Sequence, residues 1–225
     1  MCYSEYLDQL YNELCREPDF PVHKAEQLWK TLPFGSRELA ATIYLLPFGE
    51  HIQETERDNA KVLTLLTLSA FVHGDLEKNR AFNDGEAVLY GDYLFALAFS
   101  LLPKDMNKEQ AESLLERTYR FSENRLSHRN SPADEKESIR YATEDYGKHL
   151  RSIAEEAAIQ SNMDEESKER YGLCAETIGT LWGVLCESYS ADLDHLRETA
   201  KKQAEGLPME ASLQDIINKL GRSIG

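Results

Sequence analysis

Three side chains that could bind a divalent cation or exchange a proton lie close together in the sequence His73-Gly74-Asp75-Leu76-Glu77. Imidazole and carboxylate groups are common metal ligands, and both can act as acids or bases. The same residues follow an apolar segment, where polar residues are also expected because a helix ends there. His73, Asp75 and Glu77 are therefore candidate catalytic residues, and Asp75 is a candidate metal ligand.

Another candidate is Asp92, the one carboxylate in the otherwise apolar stretch from Ala87 to Leu102. A buried carboxylate is costly unless it is paired or hydrogen-bonded, so Asp92 should face a partner, a helix cap or a pocket. A structural partner is the favoured interpretation. Glu176 raises the same question in a later apolar helix, and we expect it at the surface.

Two apolar helices must position these residues. From Val62 to Val72 the apolar residues run around the whole helical circumference, which is typical of a helix covered on all sides, and the stretch from Ala87 to Leu102 has the same pattern. Polar residues between the two stretches would then lie at the mouth of a pocket. Large side chains from both helices should fill the space below it, although a tail-shaped pocket is the alternative: Tyr90, Tyr93, Phe95 and Phe99 opposite Leu63, Leu66, Leu68 and Phe71.

The rest of the chain also predicts helices, because no alternating β-branched run with turn signals occurs. We expect an all-α, single-domain bundle over residues 1–225, with about eight to ten helices. One helix should start after an N-cap at Ser131 and reach Gln160, near the surface because its apolar stripe is thin. Another should begin at residues 162–165. Its three glycines, Gly172, Gly179 and Gly183, predict close approach by a neighbouring backbone.

The composition excludes several classes of function. The 225 residues carry a formal charge of −15, which opposes binding to nucleic acid or anionic lipid. No run of about 18 apolar residues and no basic leader is present, so we expect a cytoplasmic protein without an integral membrane segment. The four cysteines lack metal-site spacing and should be reduced thiols. Phosphate-loop, nucleophile-elbow and H-E-x-x-H motifs are absent.

Several stretches resemble the trans-polyprenyl diphosphate synthases. LLTLSAFVHGDLEKN followed by GEAVLYGDYLFALAFSLL is similar to their apolar helix ending in His-Asp-Asp and their later helix opening with Gly-Asp-Tyr, while GLCAETIGTLWG and FSENRL look like two further helices. The resemblance covers roughly residues 60–190 and implies a helical bundle of the isoprenoid-synthase type. It also implies that four residues of the Gly-Asp-Tyr helix bind substrate: Asp92, Tyr93, Phe95 and Phe99.

The chain departs from that family at its metal-binding motifs. Catalytic members carry Asp-Asp-x-x-Asp where this chain has the sequence from His73 to Asn79, and where a second acidic motif should follow, only Asp192, Asp194 and Asp215 are present. Without magnesium, a carboxylate 4 Å from a phosphate charge is repelled by about 4 kcal/mol at an effective dielectric constant of 20. We therefore expect magnesium only if a diphosphate site survives.

This pattern resembles the small non-catalytic subunits, component I, of two-component heptaprenyl and hexaprenyl diphosphate synthases. The resemblance implies an accessory subunit that is inactive alone and pairs with a catalytic polyprenyl synthase subunit or with itself. Two other hypotheses remain: an enzyme with weak or different diphosphate chemistry, and a helical interaction protein without an isoprenoid role. A dimer interface is predicted because one core cannot absorb all the large residues of the second apolar helix: Phe95, Leu97, Phe99 and Leu102.

Overall fold

The computed structural model describes Asn12, Arg16 and residues 38–74, 84–102, 108–127, 132 and 134–222. All regular structure in these ranges is helical, which confirms the all-α prediction. Contacts divide the chain into two compact units, Met1–Thr42 with Gln53–Lys104, and Ile43–Ile52 with Asp105–Gly225. The single domain therefore stays a prediction.

The α-helices are α1 (Leu39–Leu45), α2 (Glu54–Gly74), α3 (Asp84–Ser100), α4 (Lys108–Ser127), α5 (Glu135–Ala142), α6 (Lys148–Gln160), α7 (Glu165–Glu187), α8 (Leu193–Ala204) and α9 (Glu210–Arg222).

In the first unit, α2 packs against α3. Every residue of α2 from Val62 to Val72 is buried, which confirms the prediction made from its circumferential apolar pattern. The polar residues in this stretch are small, and the Thr64 hydroxyl donates a hydrogen bond to the Ala60 carbonyl oxygen of its own helix. The helix can therefore be covered on all sides without an unsatisfied hydroxyl at that position.

Helix α3 is buried on one side only, so the expectation of burial around its whole circumference is wrong. Ala87, Leu94 and Ala98 are fully buried, but Leu89 is 72% exposed and Phe95 is 37% exposed. The rings of Phe95 and Phe99 pack on each other with centroids 4.8 Å apart. An apolar face open to solvent has the same sequence pattern as a core face, which is why the two could not be distinguished.

Truncating Phe95 should therefore cost less stability than the sequence alone suggests. We expect Phe95→Ala to lower the free energy of unfolding by about 1 kcal/mol, because much of the ring is already in water. Leu94→Ala, one residue earlier and fully buried, should cost about 3 kcal/mol. Urea unfolding of the two variants measures the difference, and equal losses would mean that Phe95 is core.

The second unit is built on α6 and α7, which pack along each other. The apolar stripe of α6 is fully buried, including Leu150, Ile153 and Ala157, so the expected position near the surface is wrong. A stripe containing three alanines is thin, yet it lets the neighbouring helix come close and bury it completely. Facing it, α7 buries Tyr171, Ile178 and Trp182.

The segment predicted as one helix from Pro132 to Gln160 differs in two ways. Its α-helical part begins at Glu135, because the Asp134 carboxylate accepts a hydrogen bond from the Glu137 backbone N–H at 2.8 Å and so acts as the N-cap. It is also interrupted by a π-helical turn at Thr143–Gly147, which joins α5 to α6. Such turns insert an extra residue into the hydrogen-bond ladder and are frequent at functional sites.

Packing against α7 accounts for this turn. A Cβ at Gly179 would lie 2.5 Å from the Tyr146 carbonyl oxygen and 2.8 Å from the Gly147 Cα, so the two backbones touch there. Gly183 similarly leaves room for the Tyr146 ring. The prediction that the α7 glycines mark close approach by a neighbouring backbone is confirmed for Gly179, whereas Gly183 and Gly172 face side chains of the neighbouring helix.

Glu176 is half-buried and paired, so its predicted position at the surface is wrong. Its carboxylate lies 2.8 Å from Arg151 Nη1, and the same guanidinium binds Glu155 and Glu169. The hydrogen bonds to Glu176 and then to Glu155 raise the pKa of Arg151 above its ordinary value. Arg151 therefore joins α6 to α7 through two carboxylates of α7, Glu169 and Glu176.

The described cysteines, Cys174 and Cys186, are free thiols. Burial raises the pKa of the Cys174 thiol to about 12, so it stays protonated. Within the described ranges, each helix is too short or too polar to cross a lipid bilayer.

Candidate functional site

The structure brings together two of the predicted site residues, His73 at the end of α2 and Asp92 in α3. His73 Nε2 lies 3.1 Å from Asp92 Oδ1 and 3.3 Å from the Val88 carbonyl oxygen. Both neighbours are acceptors, so Nε2 carries the hydrogen. The expectation that Asp92 has a structural partner is confirmed, although its side chain is 67% exposed and not buried.

Gly91 makes this pairing possible. A Cβ at Gly91 would overlap the His73 imidazole ring, so only glycine lets the ring lie directly on α3. One turn earlier in α2, the Ser69 hydroxyl donates to the Gly91 carbonyl oxygen at 2.8 Å. Gly91 and Asp92 of the Tyr-Gly-Asp-Tyr sequence therefore both serve contacts with α2. His73 and Gly91 are 18 positions apart in the sequence, so no local pattern indicates their contact.

None of the other predicted residues that the structure describes completes a site around this pair. Asp75 and Glu77 lie outside the described residues. Tyr93 is half-buried and its ring stacks with that of Tyr90 at a centroid distance of 6.3 Å, while Phe95 packs on Phe99. Among the described residues, no three His, Cys, Asp or Glu side chains are grouped as a metal site would require. The contact between His73 and Asp92 links α2 to α3, which is a structural role.

The second unit contains a cleft of about 560 Å³ that the sequence did not reveal. One wall is α4, and the other is the π-helical turn with the start of α6. The Asn124 side-chain amide of α4 donates to the Glu144 carbonyl oxygen of the turn at 3.0 Å, which holds the walls together. The lining residues are mostly charged or polar: Ser113, Glu116, Arg117, Arg120, Phe121, Glu123, Asn124, Glu144, Asp145, Lys148, His149 and Ser152.

Two groups in the lining of this cleft, His149 and Arg117, are buried. The His149 ring stacks on the Phe121 ring with centroids 4.3 Å apart, and burial together with the nearby Arg117 charge lowers the pKa of His149 to about 3. His149 is therefore neutral at pH 7. Arg117 is paired through Nη2 with Glu156 of α6. The signal that could have indicated the cleft is the placement of Arg117 and Phe121 on one face of α4, four residues apart.

Comparisons with known proteins agree at the level of the fold. No protein-family model matches the chain, and no curated protein matches it in sequence. A solved structure of the geranyl diphosphate synthase small subunit from Antirrhinum majus has a TM-score of 0.65 at 16% identity, over 97% of this chain and 99% of that one. A decaprenyl diphosphate synthase from Rhodobacter capsulatus gives 0.70 at 14%, over 99% and 96%. The chain has the isoprenoid-synthase fold.

A third structure of this isoprenoid-synthase fold, a mint deletion mutant of heterotetrameric geranyl pyrophosphate synthase, gives a TM-score of 0.67 at 15% identity, over 96% of this chain and 98% of that one. Identities this low establish the fold and nothing finer.

The three aspartates that follow α7 all have local partners. Asp192 is the N-cap of α8 and accepts from the His195 backbone N–H at 3.0 Å. Asp194 pairs with Arg197 at 2.7 Å. Asp215 pairs with Lys219, also at 2.7 Å. Each carboxylate is thus used within its own helix of the isoprenoid-synthase fold.

Proposed function

We propose that this chain is an accessory, non-catalytic subunit of a trans-prenyl diphosphate synthase, of the kind that pairs with a catalytic subunit to make long-chain prenyl diphosphates. The proposal rests on the isoprenoid-synthase fold together with a sequence in which neither Asp-rich motif of the catalytic family is recognised. In the first unit, His73 is the one possible metal ligand in the last turn of α2 that the structure describes, and its imidazole is hydrogen-bonded to Asp92. Ionisation of an allylic diphosphate needs several oxygen ligands for metal ions.

The exposed face of α3 supports a partner. Val88, Leu89 and Phe95 are open to solvent, and their spacing places them on adjoining sides of the helix. Asp92 lies between them along the helix, with its carboxylate held by His73. Apolar side chains grouped in this way are typical of interaction surfaces. Two of the similar structures are a geranyl diphosphate synthase small subunit and a heterotetrameric geranyl pyrophosphate synthase.

The charge of the chain favours a different subunit over a second copy. Two copies would each bring a formal charge of −15, and their mutual repulsion opposes association at moderate ionic strength. A catalytic subunit with a neutral or basic rim around its own apolar face would meet no such repulsion. We therefore favour a heteromer, with the homodimer as the alternative.

The test is an assay of prenyl transfer with farnesyl and isopentenyl diphosphates and magnesium. The purified chain alone should give no product. Mixed with a synthase that carries both acidic motifs, from the same genome, it should raise turnover or change product length. Turnover by the chain alone would instead favour the weak-enzyme hypothesis. A chain that neither turns over nor affects any such synthase would favour an interaction protein without an isoprenoid role.

Introducing a charge on the exposed face of α3 should abolish the change that this chain causes in the turnover or product length of the catalytic subunit. Leu89→Lys replaces a 72% exposed side chain, so the fold should be unaffected while docking fails. Ile159→Lys is the matched control, since Ile159 is 62% exposed on α6 in the second unit. Equal effects of the two variants would mean that α3 is not the docking face.

A further inference from the structure

Asp92 lies at the centre of the exposed face of α3. Successive residues are about 100° apart around a helix, so, counted from Val88, Leu89 lies at about 100°, Phe95 at about 340° and Asp92 at about 40° between them. Ala96, which is also exposed, lies at about 80°. Beyond the first turn of α3, Asp92 is the one charged residue of the helix. Its carboxylate is therefore surrounded by apolar side chains.

A partner that docks on this face would remove the Asp92 carboxylate from water. In the free chain its side chain is 67% exposed, Oδ1 accepts from His73 Nε2, and Asp92 has no other hydrogen-bond or ion-pair partner among the described residues. A carboxylate has about four acceptor positions, so one imidazole leaves most of them to solvent. Covering the charge with a wholly apolar surface opposes association strongly. The partner must therefore bring a donor of its own.

The surroundings of Asp92 favour a guanidinium as that donor. An arginine carries the opposite charge, and two of its N–H groups match the two oxygens of a carboxylate. Phe95 and Phe99 follow Asp92 by three and seven residues, on the same side of the helix, and their ring centroids are 4.8 Å apart. A guanidinium plane packs well on aromatic rings. The short side chain of Ala96, one turn after Asp92, leaves room for an arginine side chain to approach.

We propose that the protein that docks on α3 inserts an arginine into this apolar face, opposite Asp92, and that the resulting ion pair selects the partner. The inference rests on the proposed accessory role and specifies the complementary surface of the catalytic subunit, which is apolar with one arginine near its centre. A second copy of α3 fits poorly, because Asp84–Ser100 contains no Lys or Arg and would bring another carboxylate.

The experiment measures by calorimetry how the full chain binds the synthase from the same genome that carries both acidic motifs. Asp92→Asn removes the charge but keeps an oxygen that can accept from His73, so it should weaken binding at least about thirtyfold. Glu86→Gln is the matched control, because Glu86 is half-buried and lies about 120° around α3 from Asp92. It should change the Kd by less than about threefold. Equal losses in the two variants would indicate general electrostatic attraction and overturn the ion pair.

A charge swap identifies the arginine itself. Surface arginines of the synthase are changed to Glu one at a time, and each variant is tested against the original chain and against Asp92→Arg. One of them should weaken binding of the original chain at least about thirtyfold and restore binding of Asp92→Arg, which also shows that Asp92→Arg is folded.

The outcomes separate this inference from the accessory role. If the original chain binds but Asp92→Asn binds as tightly, or no single arginine shows the coupling, the inference is overturned and the accessory role stands. Absence of binding by the original chain overturns the accessory role, and the inference with it.

Discussion

Gly179→Val should be among the most destabilising single substitutions in this chain. Its side chain would enter the contact between α7 and the π-helical turn, where the nearest atoms are the Tyr146 carbonyl oxygen and the Gly147 Cα. Backbone atoms cannot rotate away, so the helices must separate. We expect a loss on the order of 4 kcal/mol or more in the free energy of unfolding, or failure to fold. Chemical denaturation followed by circular dichroism measures it.

Gly172→Ala in the same helix is the control. A Cβ there meets the side chain of Glu155, 3.3 Å away at Cγ, and no neighbouring backbone. A flexible side chain can shift, and alanine favours helix over glycine by about 1 kcal/mol, so this variant should be neutral or more stable. If Gly179→Val proved no more harmful than Gly172→Ala, the close packing of α7 on the turn would be wrong.

Acid should destabilise the second unit through His149. Its pKa is about 3 in the folded chain and 6.5 when the ring is exposed, so between these values the unfolded chain binds a proton that the folded chain does not. The stabilisation is therefore complete above pH 6.5 and is lost as the pH falls toward 3. At roughly 1.4 kcal/mol per pH unit, the loss is on the order of 4 kcal/mol over the whole interval.

The effect can be isolated by comparing pH profiles of urea unfolding for the original chain and for His149→Phe. Phenylalanine keeps a ring stacked on Phe121 but binds no proton. Other groups titrate in both proteins, so the difference between the two slopes from pH 6.5 to pH 4 reports His149. Parallel profiles would contradict a buried, neutral histidine at this position.

Features that depend on the residues of a single helix were predicted correctly from the sequence. The apolar residues around the whole of α2 indicated complete burial, and the glycines of α7 indicated close approach, because each pattern reflects a steric requirement at its own positions. Asp164 was within the predicted start of α7, and it caps that helix by accepting from the Ser167 backbone N–H at 2.9 Å. The family resemblance predicted the fold on the basis of α2 and α3.

The features that sequence reasoning missed all depend on two helices at once. The sequence could not show which side of α3 is exposed, because Leu89 and Leu94 are the same residue type, yet Leu89 is exposed and Leu94 is buried. The contact of His73 with Gly91 and the cleft between Arg117 and Lys148 join residues 18 and 31 positions apart, with no periodic pattern between them. The π-helical turn packs against Gly179 of α7, and the residues of the turn itself have no sequence pattern that would predict it.

The His73 ring lying on Gly91 fixes how α3 is rotated about its own axis. Successive residues of an α-helix are about 100° apart, so moving the glycine by one position would turn α3 by that angle beneath the same imidazole. Leu94 would then leave the interior and other side chains would replace Leu89 on the outside. The contact between His73 and Gly91 thus determines which apolar side chains α3 presents to solvent. A change at residue 91 would alter that exposed face without changing any residue in it.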